Sequence, residues 1–375
     1  MTDMAFVHET LPQRVALERG GAARRLADEV ARLGARRVMV IAAGSASAVA
    51  DRITAGLPEA LRWQEVREHV PVELAERARA AAAEASVDAI VSVGGGSTTG
   101  LGKAVAMTTG LPIIAVPTTY AGSEATPVWG LTKGRVKRTG VDPRVLPVAV
   151  VYDSELSASL PVGLSVASGL NALAHSVDSL WAPRTDPINQ ALGLEGVRAL
   201  AIGLPRIVAD PADGEARDEA LYGCYLSAVA FASAGSGMHH KICHVLGGAY
   251  DLPHAQTHAI VLPHVLAHNA PAVPRLAARL AEALGGSVSG GQHDAPVAAV
   301  AAAAAVDALE ALRVRLGAPR ALRDYGLAEA DLPDAVARCL EAIPESNPVP
   351  VTEESLAALL YAAWAGRQPT IRSER

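Results

Sequence analysis

The sequence is short of cysteine, lysine and aromatic residues: three cysteines, four lysines and two phenylalanines in 375 residues, with aromatics at 3%. Cys224, Cys243 and Cys339 are odd in number, far apart and without CxxC spacing, which argues against a disulfide framework and against a thiolate zinc site. A reducing, cytoplasmic compartment is expected. Long apolar runs are also missing, since the alanine-rich stretches are broken by charges before about 18 residues, and Met1 to Arg14 holds no secretory-type apolar core. No membrane span or export signal is expected. Nor is there a basic surplus: net charge is -6 with 19% charged and 50% apolar residues, which disfavours both a disordered chain and an electrostatic nucleic-acid binder.

What is abundant is local. Seven of the eleven histidines fall between His239 and His268, where even scatter would place about one. The four lysines, Lys103, Lys133, Lys137 and Lys241, stand out against a nearly all-arginine basic set.

The first part of the chain alternates. Gly20 to Leu33 reads as an amphipathic helix stopped by Gly34, Val38 to Ala43 as a buried strand, and a helix follows from Ser45. A strand near Trp63 to Val66, a helix from Val72 to about Ala85 and the strand Ala89 to Val93 continue the pattern. Then come a helix to about Thr109, the strand Ile113 to Val116, a hairpin at Lys133-Gly134 and the strand Val148 to Tyr152. Strands alternating with helices predict a mostly parallel, Rossmann-like sheet covered on both faces. Beyond Leu156 only helical spacing remains, including the alanine-rich stretch Ala295 to Leu316. The expected division is an α/β dinucleotide-binding domain over residues 1–157 and an all-α substrate domain over 158–375.

Gly94-Gly95-Gly96-Ser97-Thr98-Thr99-Gly100 joins a strand to a helix start, and such a loop lets backbone N–H groups approach a pyrophosphate beside a helix N-terminus. It matches neither the P-loop nor the spaced GxGxxG fingerprint, and a plain tight turn between strand and helix accounts for the same glycines. A second hydroxyl-rich loop, Pro117-Thr118-Thr119-Tyr120-Ala121-Gly122-Ser123, follows the next strand. Two such loops at the carboxyl ends of neighbouring parallel strands favour a nucleotide.

Asn171 and His175 share one helical face, and His240 and His244 repeat the spacing. The pair Gly247-Gly248 is expected to turn the chain back so that His254 rejoins the cluster. Any one of these histidines alone is more often structural, but the density favours proton transfer or metal binding. His258, His264 and His268 read as helix and cap residues, and Cys243 as a small buried apolar residue.

Gly94-Gly95-Gly96-Ser97, Pro117-Thr118-Thr119 and His240-Lys241-Ile242-Cys243-His244-Val245-Leu246-Gly247-Gly248 through Pro253-His254 resemble the iron-containing alcohol dehydrogenase superfamily over nearly the whole chain. Gly-Gly-Gly-Ser-Thr-Thr-Gly and Asn-Ala-Leu-Ala-His look most like its maleylacetate reductases. The resemblance implies that Gly94, Gly95, Gly96, Ser97, Thr118, Thr119, Ser123 and Lys137 hold NADH or NADPH. Metal-dependent members use one aspartate and three histidines, matched here by Asn171, His175, His240 and His254. The aspartate is missing, so the expectation is an enzyme that needs no metal. His244 matches the family's proton-transfer histidine, with His175, His240, His254 and Lys241 left as donors to substrate. For Lys241 an exposed helix lysine is an equal alternative. The implied reaction is reduction of the carbon–carbon double bond of maleylacetate to 3-oxoadipate by a homodimer. Its rivals are a metal-dependent alcohol dehydrogenase that tolerates Asn171 and a non-catalytic nucleotide-binding paralogue.

Overall fold

A computed structural model describes residues 5–134, 136–287 and 295–371. One compact unit comprises Leu11–Pro161 with Pro211–Tyr222; the rest of the described chain forms a second. The first unit carries β1 (Arg14–Leu17), α1 (Ala22–Leu33), β2 (Val38–Ile41), α2 (Ser47–Thr54), β3 (Glu59–Trp63) and α3 (Val72–Glu84). There follow β4 (Ala89–Gly94), α4 (Gly96–Thr109), β5 (Ile113–Pro117), the pair β6 (Val128–Lys133) and β7 (Val136–Val141), and β8 (Ala149–Tyr152).

Six strands form one sheet in the order β1-β8-β5-β4-β2-β3, and every pairing is parallel. The continuous apolar runs explain this, because a strand covered on both faces has no polar side. Along β2, Val38 and Val40 pack with Val91, Val93, Ile114 and Val116 toward α1 and α2, while Met39 and Ile41 pack with Ile90 and Ile113 toward α3 and α4. The register brings Gly94 of β4 opposite Pro117 of β5, so the glycine turn and the threonine loop leave the sheet side by side. β6 and β7 form a separate antiparallel hairpin, as the Lys133-Gly134 turn predicts.

The second unit is helical. It holds α5 (Val162–Ser179), α6 (Pro187–Ala209), the later part of α7 (Gly214–Ala234), α8 (Met238–Tyr250) and α9 (His254–Asn269). The remaining helices are α10 (Pro274–Ala283), α11 (Ala295–Leu316), α12 (Leu332–Ala342) and α13 (Glu353–Ala365). Pro187 occupies the first turn of α6, where its missing N–H costs nothing, and Asp186 caps that end by accepting from the N–H groups of Ile188 and Asn189. α5 is buried from Ser165 to Ser179, and a Cβ on Gly169 would come within 2.4 Å of Leu204 on α6. At this point the two helices approach closely over the missing side chain of position 169. α8, α9, α12 and α13 share an apolar core that includes Ile242, Leu246, Val261, Leu356 and Leu360. No described helix is long and apolar enough to cross a membrane.

Two details differ from the sequence reading. Gly247 and Gly248 do not turn the chain; α8 continues through them and ends at Asp251, whose φ of 54° lies in the left-handed region. The strand expected near Trp63 to Val66 ends at Trp63 instead.

Candidate active site

The candidate cofactor cradle belongs to the first unit and the histidine cluster to the second. In the cradle, Gly94 has φ of 151°, and a Cβ there would lie 2.5 Å from Thr98 Oγ1. A Cβ on Gly95 would meet Thr119 Cγ2 at 3.1 Å, and one on Gly96 would meet Ala121 at 3.3 Å. Side chains at Gly95 and Gly96 would press against the threonine loop, and one at Gly94 would collide with Thr98 of its own segment. The Thr118 N–H donates to the Gly94 carbonyl at 3.0 Å and ties them together. α4 starts at Gly96 with no side-chain cap, so its N-terminal N–H groups and dipole suit an anion. The cradle fits a dinucleotide pyrophosphate. Ser97 opens α4, and Ser123 heads the short turn after the threonine loop. Lys137 falls on β7, and its side chain lies outside the described residues.

Beneath the cradle lies Lys103, one of the four lysines that stand out in the sequence, to which sequence reasoning gave no role. Lys103, fully buried on α4, donates to the carbonyls of Ser123 at 2.6 Å, Thr126 at 2.8 Å and Val128 at 2.7 Å. Burial lowers its pKa to about 7, opposed by the charge of Glu124. Glu124 is itself buried, which raises its pKa, and its Oε1 accepts from the Tyr152 hydroxyl at 2.7 Å. A rare lysine inside a helix that follows a glycine turn was the available signal.

In the second unit α5 carries Asn171 and His175, both buried. α8 brings His240 and His244, and α9 begins at His254. The His175 and His240 rings stack at 4.9 Å, His240 and His244 meet edge-on at 6.0 Å, and His244 stacks with His254 at 6.3 Å. The four histidines named from sequence thus form one continuous group. Lys241 is half-buried in the first turn of α8.

The structure adds Asp178. Fully buried on α5, it accepts from the Gly237 N–H and from His240 Nδ1, each at 2.8 Å, and from the His239 N–H at 3.3 Å. It therefore caps α8 from a neighbouring helix and orients a cluster histidine at once. Burial pushes its pKa up to about 6, opposed by those N–H groups and by the charge of Lys241, so it is ionised at neutral pH. A carboxylate three residues after His175, on the same helical face, was legible in the sequence.

Burial holds His175 down at about 4 and His240 well below its usual value. Both are neutral rings. A neutral His240 whose Nδ1–H serves Asp178 presents a lone pair at Nε2 rather than the donor expected from sequence. His239 and His258 are also buried here, their rings 4.8 Å apart.

The metal-ligand positions fit an ion poorly. Asn171 offers a neutral amide where a carboxylate would bring charge. Among the described residues, the histidine, cysteine and acidic side chains whose ligand atoms converge as a trio are His239, Cys243 and His258, not His175, His240 and His254.

The iron-containing alcohol dehydrogenase model matches residues 12–154, and the C-terminal model of the Fe-containing alcohol dehydrogenase family matches residues 165–364. The chain belongs to the iron-containing alcohol dehydrogenase family. As a family member it is an NAD(P)-dependent oxidoreductase. A maleylacetate reductase of Sphingobium indicum is 43% identical over 369 residues, covering 98% of this chain and 99% of that protein. The crystal structure of an iron-containing alcohol dehydrogenase from Corynebacterium glutamicum is 53% identical with a TM-score of 0.92, covering 99% of this chain and 100% of that one. That of a maleylacetate reductase from a Rhizobium species is 40% identical with a TM-score of 0.87, covering 97% of this chain and 99% of that one.

Proposed function

We propose that the protein is a maleylacetate reductase: it reduces the carbon–carbon double bond of maleylacetate with NADH or NADPH, yields 3-oxoadipate and requires no metal at Asn171, His175, His240 and His254. The observation that carries this reading is Asn171 at the aspartate position of a set that includes the neutral rings of His175 and His240. Reducing a simple carbonyl builds an alkoxide, which this family's metal stabilises as a Lewis acid. Conjugate reduction asks less, because hydride added to the alkene carbon β to the ketone leaves an enolate, a weaker base that hydrogen-bond donors can hold. The full-length likeness to maleylacetate reductases supports the same substrate.

Bound NAD(P)H supplies the hydride. Gly94, Gly95, Gly96 and Ser97 hold its pyrophosphate with Thr118, Thr119 and Ser123, and Lys137 serves its ribose end. As the alkene π pair shifts to join the α carbon to the carbonyl carbon and the carbonyl π pair moves onto oxygen, His175 and His254 donate to that oxygen and to the substrate carboxylates. His244 delivers the proton to the α carbon, which completes the addition of hydride and proton across the double bond. His240, fixed by Asp178, accepts at Nε2 and keeps the neighbouring rings in register. Lys241 favours the anionic substrate by its charge.

The test is NADH oxidation by the chelator-dialysed protein, with 3-oxoadipate identified as product. Turnover of maleylacetate and none of simple alcohols is expected. Alcohol oxidation abolished by the chelator would establish the metal-dependent alternative instead, and no NAD(P)H oxidation with any oxo acid would indicate a non-catalytic paralogue.

A further inference from the structure

His239, Cys243 and His258 are each at most 1% exposed, and one ligand atom from each lies within 4.8 Å of the others. His239 Nε2 is 2.9 Å from His258 Nδ1 and 3.7 Å from Cys243 Sγ. The 2.9 Å contact is an N–H···N hydrogen bond between the rings, which leaves the Cys243 thiol only a long contact to the same nitrogen. A neutral ring nitrogen carries either one proton or one lone pair, so His239 Nε2 serves Cys243 or His258 but not both. The outer nitrogens, His239 Nδ1 and His258 Nε2, have no hydrogen-bond partner among the described residues. Each ring can therefore carry its proton on that outer nitrogen and turn a lone pair toward the cluster.

We propose that His239, Cys243 and His258 form a binding site for a thiophilic divalent cation of the zinc class, distinct from the four family metal positions. A cation takes a lone pair from all three groups at once, which resolves the conflict at His239 Nε2. The spacing agrees: with bonds of about 2.05 Å to nitrogen and about 2.3 Å to sulfur, tetrahedral zinc sets its ligands about 3.3 Å apart for two nitrogens and about 3.6 Å for nitrogen and sulfur. The observed 2.9 Å and 3.7 Å lie within a few tenths of an ångström of those values, and the third pair, Cys243 with His258, lies within 4.8 Å. One thiolate with two imidazoles selects zinc over magnesium or calcium, and three protein ligands leave a fourth position open. Cysteine spacing alone could not reveal the site, because His239 and Cys243 are one turn apart on α8 while His258 arrives from α9.

The test is a Co²⁺ titration of the chelator-dialysed protein. One equivalent per chain is expected to bind with a thiolate-to-cobalt charge-transfer band in the near-ultraviolet, to release a proton and to be displaced by Zn²⁺. Cys243→Ala, checked for folding by thermal denaturation, loses the band; His254→Ala keeps it. No stoichiometric binding, or binding by the parent protein without a thiolate band, overturns the site, and the parent spectrum decides this even if a variant fails to fold. Maleylacetate turnover is read by a separate assay, so failure of this site leaves the proposed reaction untouched.

Discussion

The Asp178 carboxylate and the His240 ring are joined at 2.8 Å inside a region closed to water, with Asp178 also capping the helix that carries His240. Asp178→Ala strands three N–H groups of that helix end and the ring N–H together, so a loss on the order of 3 kcal/mol of stability is expected. Asp178→Asn keeps an acceptor oxygen and folds closer to the parent. Because Asp178 positions His240, the Asn variant should lower kcat with maleylacetate about tenfold or more while NADH affinity stays unchanged. Parental kcat in that variant would show that Asp178 is only a cap.

His244→Ala should reduce kcat with maleylacetate on the order of a hundredfold, as loss of a general acid does, and leave NADH binding intact. Near-parental turnover would move the proton donor elsewhere, with His254 the next to replace.

Cofactor choice follows from the end of β2. The strand is followed by Ala42-Ala43-Gly44-Ser45, with no carboxylate to bond a ribose and repel a 2′-phosphate. Steady-state kinetics should give kcat/KM values for NADH and NADPH within about a hundredfold, equivalent to about 2.7 kcal/mol. A larger preference for NADH would reveal another group closing the phosphate position.

Lys103→Met removes the donor shared by three carbonyl oxygens. The loop from Ser123 to Val128 then loses its anchor, and KM for NAD(P)H should rise about tenfold or more with a smaller change in kcat. An unchanged KM with a lower melting temperature would confine Lys103 to stability.

Acid should unfold the protein early. His175 and His264 are held at about 4 and His239 at about 3, all by burial first. Their native pKa values lie below the unfolded value near 6.5, so the native state binds fewer protons between about pH 6.5 and 4, and stability falls as pH falls through that window. His175 and His264 each contribute on the order of 3 kcal/mol across it. Asp178, raised to about 6, acts in the opposite direction and offsets part of this. Thermal melts should be flat above pH 7 and drop steeply below about pH 6. A melting temperature constant down to pH 5 would mean that these rings are charged in the native state.

The parallel sheet and helical half were legible because buried strands are apolar throughout and helices keep their spacing, as in Val38–Ile41 and Ala295–Leu316. β1 was not, because Arg14–Leu17 is short and largely exposed and becomes a strand only by pairing with β8. Gly247-Gly248 misled for a related reason. Packing of α8 against α9, α12 and α13 outweighs the roughly 1 kcal/mol that each glycine costs a helix, and local propensity carries no trace of that packing. The candidate histidines were visible through their density and through the four-residue spacing within α5 and within α8. Spacing could set Asp178 on the His175 face, but its partners, like those of His258, come from other helices, about which spacing is silent.

Lys103 grows from the same helix whose first turn is the glycine cradle, and its ammonium grips the segment that follows the threonine loop. Both sides of the candidate cofactor cradle are therefore attached to one helix. Repacking Leu101 or Val105 on the buried side of that helix is therefore expected to change dinucleotide affinity without altering a residue of the candidate cradle. Directed evolution of coenzyme use in this scaffold should accordingly collect changes along that helix's concealed flank as well as around the cradle.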